Sequence, residues 1–174
     1  GITPKPLFNQ ILSRIIDILR SFPFVILMIM LLPFTRLILG TAIGTTATII
    51  PLSLAAMPFV ARVTESAISD VEPGMIQAAR AMGSTNWQIV YKVLVPEAMP
   101  SVISGITLTI ITLIGYSAMA GTLGGGGLGD LAIRYGYQRF RTGIMVAAVI
   151  IIVVMVAAIQ FAGTKITDKM MGRR

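Results

Sequence analysis

The sequence predicts an all-α polytopic membrane protein built as a single transmembrane domain over residues 1–174. Three observations support this fold class. Hydrophobic residues make up 55% of the chain and charged residues only 12%, which leaves too few polar side chains to cover a water-soluble domain. Uncharged runs recur at close to the ~20 residues that a helix needs to cross the ~30 Å hydrocarbon core. Most Lys and Arg residues lie at the margins of these runs, where membrane proteins place them.

Four segments are candidate membrane spans. Their approximate limits are 21–38, 44–61, 100–122 and 142–164. The first has only fifteen uncharged residues between Arg20 and Arg36, but both long side chains can extend to the membrane surface and so lengthen the span. The other three lie in uncharged runs that are long enough without this help.

The polar segment 62–97 connects the second and third spans, and with four spans it lies on the same side as both chain ends. Ten Lys and Arg residues flank the membrane on that side, and four flank it on the other. The positive-inside rule therefore places segment 62–97 and the C-terminus in the cytoplasm.

The composition excludes several classes of function. The chain contains no cysteine and no histidine, which removes disulfides, thiolate chemistry and the metal sites or catalytic dyads that need an imidazole. It has no G-x4-G-K-[ST] phosphate loop, so this chain is not expected to bind ATP in the manner of a P-loop protein. The net charge of +7 is scattered rather than clustered, and nucleic acid is not an expected partner. We therefore expect no catalytic, cofactor-binding or metal-binding residues in this chain.

The polar segment itself predicts two short helices with a break between them. Pro73 suits the first turn of a helix. An apolar face follows, formed by Met75, Ile76, Ala79 and Met82. Gly83 is expected to end this helix, because glycine readily adopts the left-handed conformation found at many helix C-termini.

The second helix is predicted by a capping signal and an apolar stripe. Thr85 and Gln88 have the spacing of a capping box. The stripe consists of Trp87, Val90, Tyr91 and Leu94, at helical spacing. Pro96 is expected to close the helix. Periodicity alone leaves two interpretations open, namely a helix pair lying along the membrane surface and a docking site for another protein.

The spacing of this segment resembles the loop motif of bacterial ABC importer permeases, which reads Glu-Ala-Ala, three residues, Gly, nine residues, Ile, any residue, Leu-Pro. The corresponding positions here are Gln77, Ala78, Ala79, Gly83, Val93, Val95 and Pro96. Gln stands in place of the motif's Glu, and Val in place of its Ile and its Leu. The resemblance implies that these residues belong to the coupling helix, which seats in a groove of the ATP-hydrolysing subunit.

The resemblance extends over nearly the whole chain. The stretches LRSFPFVILMIMLLPFTRLILGTAIG, AAMPFVARVTESAISDVEPGMIQAARAMGS and TLIGYSAMAGTLGGGGLGDLAIRYGYQRF are similar to the permease family of methionine ABC importers. This implies the ABC type I importer permease fold. The family has five spans, and we count four candidates in this sequence. The family's first span is the one expected to lack a counterpart, which leaves open both a fragment and a naturally shortened protein.

The same resemblance implies location, partners and substrate. The location is the bacterial cytoplasmic (inner) membrane. The partners are membrane lipid, a second copy of the chain, an extracytoplasmic methionine-binding protein and a dimer of ATP-binding subunits that hydrolyses ATP with Mg. The implied substrate is L- or D-methionine or a close analogue. Two alternatives stay open: an ABC permease for another solute such as an osmoprotectant, and an ATPase-independent secondary transporter, which ionisable residues at span centres would favour.

Three residues near the outer end of the third span are candidates for the translocation pathway: Tyr116, Ser117 and Met119. Polar side chains inside a span usually face the bundle or a watery cavity rather than lipid. Hydrogen bonding between helices is the competing interpretation for Tyr116 and Ser117, and gap-filling packing is the competing interpretation for Met119.

A glycine run follows this span and contains a G-x-G-x-x-G pattern at Gly124, Gly126 and Gly129. It is not a dinucleotide site, since no strand precedes it. It is either a flexible outer loop or a segment whose backbone packs closely against the gate or the binding protein. The polar and aromatic residues after it either meet that protein or are solvated; they are Asp130, Arg134, Tyr135, Tyr137 and Arg139.

Overall fold

A computed structural model describes residues 6–172, and all regular structure within that range is helical. The α-helices are α1 (Pro6–Ser21), α2 (Phe24–Leu39), α3 (Thr45–Ser69), α4 (Pro73–Ala81), α5 (Asn86–Ile89), α6 (Val95–Ala120), α7 (Gly127–Asp130) and α8 (Thr142–Met171). Two π-helical segments occupy Val90–Leu94 and Leu131–Tyr137, and a third short segment, Gly121–Gly125, is kinked at Leu123 and Gly124. Lys5, Arg173 and Arg174, which contribute to the predicted charge bias, lie outside the described residues.

Three helices in the described range are long and apolar enough to cross a membrane: α3, the helix running from Asn86 to Gly125, and α8. The count rises to four if α1 and α2, which meet at a bend of 101°, are taken as one broken span. Helix α2 alone has 16 residues, roughly 24 Å at ~1.5 Å per residue. The predicted first span, 21–38, therefore corresponds to a short helix with a perpendicular helix before it.

Regular helix extends into the predicted segment 62–97 from both sides. Helix α3 continues to Ser69, well beyond residue 61, and the helix that contains α6 already begins at Asn86. Hydropathy ends a span where charge appears, but backbone hydrogen bonds carry a helix past the membrane surface into water. The connection between the spans is thus mostly helical.

Helix α6 lies at the centre of the bundle and packs against α2, α3 and α8. Small residues permit the close approach. A Cβ on Gly105 would collide with Val63 of α3, and one on Gly163 of α8 would collide with Thr107. In lipid, where apolar burial drives association only weakly, such tight van der Waals contacts hold helices together.

The glycine-rich segment after α6 is folded back onto the bundle. A Cβ on Gly129 would meet the backbone of Ala118, and one on Gly125 would meet Thr48. The start of α3 is tied to this segment by a hydrogen bond from the Gly44 amide to the Gly124 carbonyl, 3.0 Å long. The flexible-loop interpretation is therefore wrong. The backbone packs closely, and it does so against this chain's own helices.

Candidate functional site

Helix α4 has defined signals at both ends. Pro73 occupies its first turn, after Glu72 in an extended conformation (φ −58°, ψ 123°). At the other end Gly83 has φ +79°. The Gly83 amide donates to the Arg80 carbonyl (2.9 Å) and the Ser84 amide to the Ala79 carbonyl (3.1 Å). This is the pair of bonds of a Schellman motif, so the predicted role of Gly83 as a helix stop is confirmed.

Helix α5 begins with the predicted capping box. The Gln88 amide donates to the Thr85 hydroxyl (3.3 Å), and the Thr85 amide donates to the Gln88 side-chain oxygen (2.9 Å). The elbow between α4 and α5 is therefore a short turn fixed by hydrogen bonds on both sides, and its geometry is set by local sequence.

The sequence predicts that the second short helix ends at Pro96. In the structure the helix continues through Pro96. Helix α5, the π-helical segment Val90–Leu94 and α6 run as one helix from Asn86 to Ala120, and Gly121–Gly125 extends it up to a kink at Leu123 and Gly124. The Val95 amide donates to the Val90 carbonyl five residues earlier. Proline cannot donate a backbone hydrogen bond and its ring crowds the carbonyl four residues back, and the wider π turn coincides with that point. The coupling segment is thus continuous with a membrane-spanning helix.

One side of this segment is packed against the chain itself. Ala67 and Val71 of the α3 end form a buried cluster with Leu94 and Ala98. The partly buried residues that pack on this cluster are Met75, Ile76, Val90 and Val102. Helices α3, α4 and α6 therefore meet in one small core, so that a force applied to α4 acts on two spans at once.

The other side of the segment is exposed. Three large apolar side chains on this side are mostly exposed, namely Met82 (79%), Trp87 (76%) and Tyr91 (70%). Gln77 and Ala78 are exposed as well. We call these five residues the coupling face. Large aromatic side chains on a surface are characteristic of binding sites for other proteins.

Several residues that the sequence predicts on one face of a helix lie on different faces in the structure. Ala79 of the motif is buried, so it packs inside this chain rather than in a partner groove. Met82 does not share the inner face of α4. Trp87 and Tyr91 do not share a face with Leu94. Of the remaining motif residues, Gly83 and Pro96 are exposed, and Val93 and Val95 are half-buried.

Sequence periodicity missed Ile89, which is fully buried. Ile89 and Leu94 both face inward and lie five residues apart, which is the spacing of a π turn rather than of an α-helix. A pattern read at α-helical spacing therefore assigned the wrong face. The proline at position 96 was the one sequence signal that could have indicated the irregular turn.

Tyr116, the first predicted pathway residue, lies in an aromatic cluster. Its ring stacks on Phe24 at a centroid distance of 4.5 Å and meets Phe59 edge-on at 6.2 Å. The guanidinium carbon of Arg20 lies 5.3 Å from the centre of the Phe59 ring. Phe24 is the first residue of α2, so Tyr116 is level with the beginning of that helix and not with its outer end. Its observed contacts are those of a packing residue.

Ser117 and Met119 lie on opposite sides of α6. Two residues along an α-helix are separated by roughly 200° around its axis. Met119 continues a line of side chains at helical spacing on one side of α6, most of them small or polar, which we call the α6 stripe. The residues of the stripe are Ser101, Ser104, Leu108, Thr112, Gly115 and Met119. Ser117 faces the opposite side, toward a groove of about 360 Å³ with a mostly apolar lining that includes Leu52 and Leu113.

Three residues of the α6 stripe, Ser101, Ser104 and Leu108, line a cleft of about 450 Å³. The cleft lies between α3, α6 and α8. Its polar lining residues are Ser66, Asp70, Ser101, Ser104 and Thr167. Hydroxyl groups and one carboxylate in a cleft between spans provide hydrogen bonds to a polar solute without a fixed high-affinity site.

Within residues 6–172 no group of three or more acidic side chains is placed to hold a metal ion. The charged side chains form ion pairs with one another instead, and one of these pairs joins two helices. Arg62 of α3 contacts Asp17 of α1 at 3.1 Å and Glu65 at 2.8 Å. Arg134 contacts Asp130 at 2.9 Å in the folded-back outer segment. Asp130 and Arg134 were both candidates for contact with a binding protein, and here each has the other as its ion-pair partner.

Comparison with known proteins gives consistent relatives. The probable D-methionine transport system permease protein MetI of Vibrio cholerae is 50% identical over 163 residues, covering 94% of this chain and 72% of that protein. The methionine import system permease protein MetP of Bacillus subtilis is 44% identical over 160 residues, covering 92% and 72%.

Solved structures agree in fold. A chain of the methionine ABC transporter MetNI in an inward-facing conformation matches with a TM-score of 0.93 at 45% identity, covering 98% of this chain and 79% of that chain. A chain of an amino acid ABC transporter matches at 21% identity with a TM-score of 0.72, covering 99% and 79%, and shares the fold. The expected importer permease fold is thereby confirmed. The profile of one protein family matches residues 1–171, and the chain belongs to that family, the inner membrane components of binding-protein-dependent transport systems.

Proposed function

We propose that the chain is the permease subunit of an ABC importer that moves methionine across the cytoplasmic membrane by alternating access. The observation that carries this proposal is the coupling face, an exposed aromatic surface on a segment that is continuous with a membrane-spanning helix. The similarity to the MetNI chain, at a TM-score of 0.93, supports the assignment. The proposed assembly contains two copies of the chain, two ATP-binding subunits and an extracytoplasmic methionine-binding protein.

The geometry provides a path for mechanical coupling. The ATP-binding subunit holds the coupling face in a groove, the helix-in-groove mode of recognition. When that subunit moves, α4 moves with it, because the Schellman turn and the capping box fix α4 to α5. The buried cluster of Ala67, Val71, Leu94 and Ala98 then transmits the movement to α3 and α6. Rigid elements on a defined hinge suit this task better than a flexible loop.

The α6 stripe is the proposed wall of the translocation pathway. Its hydroxyl groups and the cleft residue Asp70 offer polar partners to the ammonium and carboxylate of an amino acid. Met119 and Leu108 offer apolar contacts to its side chain. Of the three predicted pathway residues, Met119 keeps this role in the proposal. Tyr116 becomes a positioning residue that packs α2 and α3 onto α6. Ser117 belongs to the opposite face.

In the proposed orientation the coupling face and the C-terminal end of α8 are cytoplasmic. ATP and Mg are bound by the partner subunits, so the chain supplies no catalytic residue. The orientation is supported by the ten-to-four distribution of Lys and Arg in the sequence, which follows the positive-inside rule.

The test is transport in proteoliposomes that contain the chain, its ATP-binding subunit and its binding protein. We expect ATP-dependent uptake of labelled L-methionine that unlabelled D-methionine reduces and other amino acids do not. Uptake without the ATP-binding subunit would identify a secondary transporter. Stimulation by a betaine but not by methionine would identify an osmoprotectant permease.

A further inference from the structure

Helix α1 has two completely different faces. Drawn at ~100° per residue, its large apolar side chains fall within an arc of roughly 140°, except for half-buried Ile16, which lies beside that arc in the groove between α1 and α3. The residues of the arc are Leu7, Phe8, Ile11, Leu12, Ile15, Ile18 and Leu19, and each is between 42% and 74% exposed. The opposite arc contains only polar or charged side chains, namely Asn9, Gln10, Ser13, Arg14, Asp17, Arg20 and Ser21.

The polar face, and not the apolar one, is attached to the protein. Asp17 and Ser13 both contact the Arg62 guanidinium of α3, at 3.1 Å and 3.2 Å. Arg20 lies over the ring of Phe59, also on α3. The apolar arc is directed away from these contacts. In water such a face would be an aggregation surface larger than monomeric soluble proteins tolerate.

The position of α1 in the bundle indicates what covers this face. Only Phe22 and Pro23 separate α1 from α2, and the two helix axes meet at 101°. If α2 runs across the membrane, α1 lies nearly parallel to its surface. It does so at the level of Arg62 and Glu65, where the apolar part of α3 ends and charged residues begin. The apolar side of α1 is therefore continuous with the lipid-facing surface of the spans.

We infer that α1 is a surface-bound amphipathic helix whose apolar arc inserts into the lipid leaflet on the side where α8 ends. The mechanism is burial of apolar side chains among acyl chains, with Arg14 and Arg20 available to anionic headgroups. The occupant of the apolar face is thus a phospholipid surface, not a second copy of the chain and not a protein partner. In this arrangement the Arg62 contacts attach the C-terminal part of α3 to a helix that lies in the membrane surface.

The absence of cysteine in the sequence makes a direct test simple. Single-cysteine variants Ile11→Cys and Ile15→Cys place a nitroxide label on the apolar face, and Gln10→Cys places it on the polar face as the matched control. Each variant is assembled with the ATP-binding subunit in liposomes of phosphatidylethanolamine and phosphatidylglycerol. The collision rates of the label with molecular oxygen and with a water-soluble nickel chelate are then measured.

We expect the oxygen-to-nickel collision ratio to be severalfold higher at positions 11 and 15 than at position 10, because oxygen concentrates in acyl chains and the chelate is excluded from them. Equal ratios on the two faces would overturn the inference. So would low collision rates with both reagents at positions 11 and 15, or spin–spin broadening there in the dimer, since either result would mean that protein covers the face.

Discussion

At the scale of single residues, backbone conformation and packing explain why some positions tolerate change and others do not. Gly83 has φ +79°, yet a Cβ added there would meet no atom within 4 Å. Glycine is needed at this position for its conformation and not for space. The opposite holds at Gly163, whose φ is not positive but whose added Cβ would collide with Thr107.

The first prediction follows from the conformation of Gly83. In Gly83→Val the left-handed conformation costs roughly 1–2 kcal/mol, so the Schellman turn opens and α4 no longer moves with α5. We expect membrane insertion and ATP hydrolysis to persist while methionine uptake falls severalfold, measured as methionine transported per ATP hydrolysed. Gly74→Ala is the matched control, because Gly74 lies inside α4 with room for a Cβ. Unchanged coupling in Gly83→Val would contradict the prediction.

Tyr116 gives a second prediction at the same scale. If its role is packing through the ring contacts with Phe24 and Phe59, Tyr116→Phe keeps both contacts and should retain uptake and thermal stability. Tyr116→Leu loses both, at about 0.5–1.5 kcal/mol for each aromatic pair, and should lower the unfolding temperature in detergent. A large loss of uptake in Tyr116→Phe with unchanged stability would instead show that the hydroxyl group contacts the solute.

At the scale of elements, the decisive feature is the helix from Asn86 to Gly125, which joins the coupling segment to a span. Its beginning was predictable because the capping box is a local signal between Thr85 and Gln88. Its continuity through Pro96 was not, because the π turn that coincides with the proline has no strong sequence signature. The same turn explains why Ile89 is buried and Tyr91 exposed, contrary to the predicted stripe.

The third prediction concerns the N-terminal end of this helix, where Thr85 is the cap. Thr85→Ala removes the side-chain cap and should destabilise the first turn by about 1 kcal/mol. We expect faster amide hydrogen exchange at Trp87 to Ile89 and little change elsewhere. Thr64→Ala is the control, since the Thr64 hydroxyl donates only to the Val60 carbonyl within α3. Equal exchange rates in Thr85→Ala and the parent protein would show that tertiary packing alone holds the elbow.

A fourth prediction tests the packing of α6 on α8. Gly163→Ala forces a methyl group against Thr107 and should destabilise the bundle by about 1–3 kcal/mol, the usual cost of overpacking. Gly143→Ala, in the first turn of the same helix, meets no atom within 4 Å and should leave stability unchanged or raise it. Thermal unfolding in detergent measures both. Equal unfolding temperatures for the two variants would mean that the helices separate at this contact without cost.

At the scale of the whole molecule, composition and spacing were sufficient for the fold class and for three of the spans. They were not sufficient for tertiary facts that have no local cause. Nothing near Ala79 in the sequence indicates that it packs inside the chain while Ala78 faces out. Likewise the glycine run gave no indication that Gly129 folds back onto Ala118, because that contact depends on how far apart two spans lie.

The central claim is that the coupling face binds the ATP-binding subunit. Met82→Cys, labelled with a photoactivatable benzophenone, tests it in liposomes that contain the assembled transporter. Ile150→Cys, exposed on the membrane-spanning part of α8, is the matched control. We expect an adduct with the ATP-binding subunit from position 82 and none from position 150. No adduct from position 82 in a complex that still transports methionine would contradict the claim.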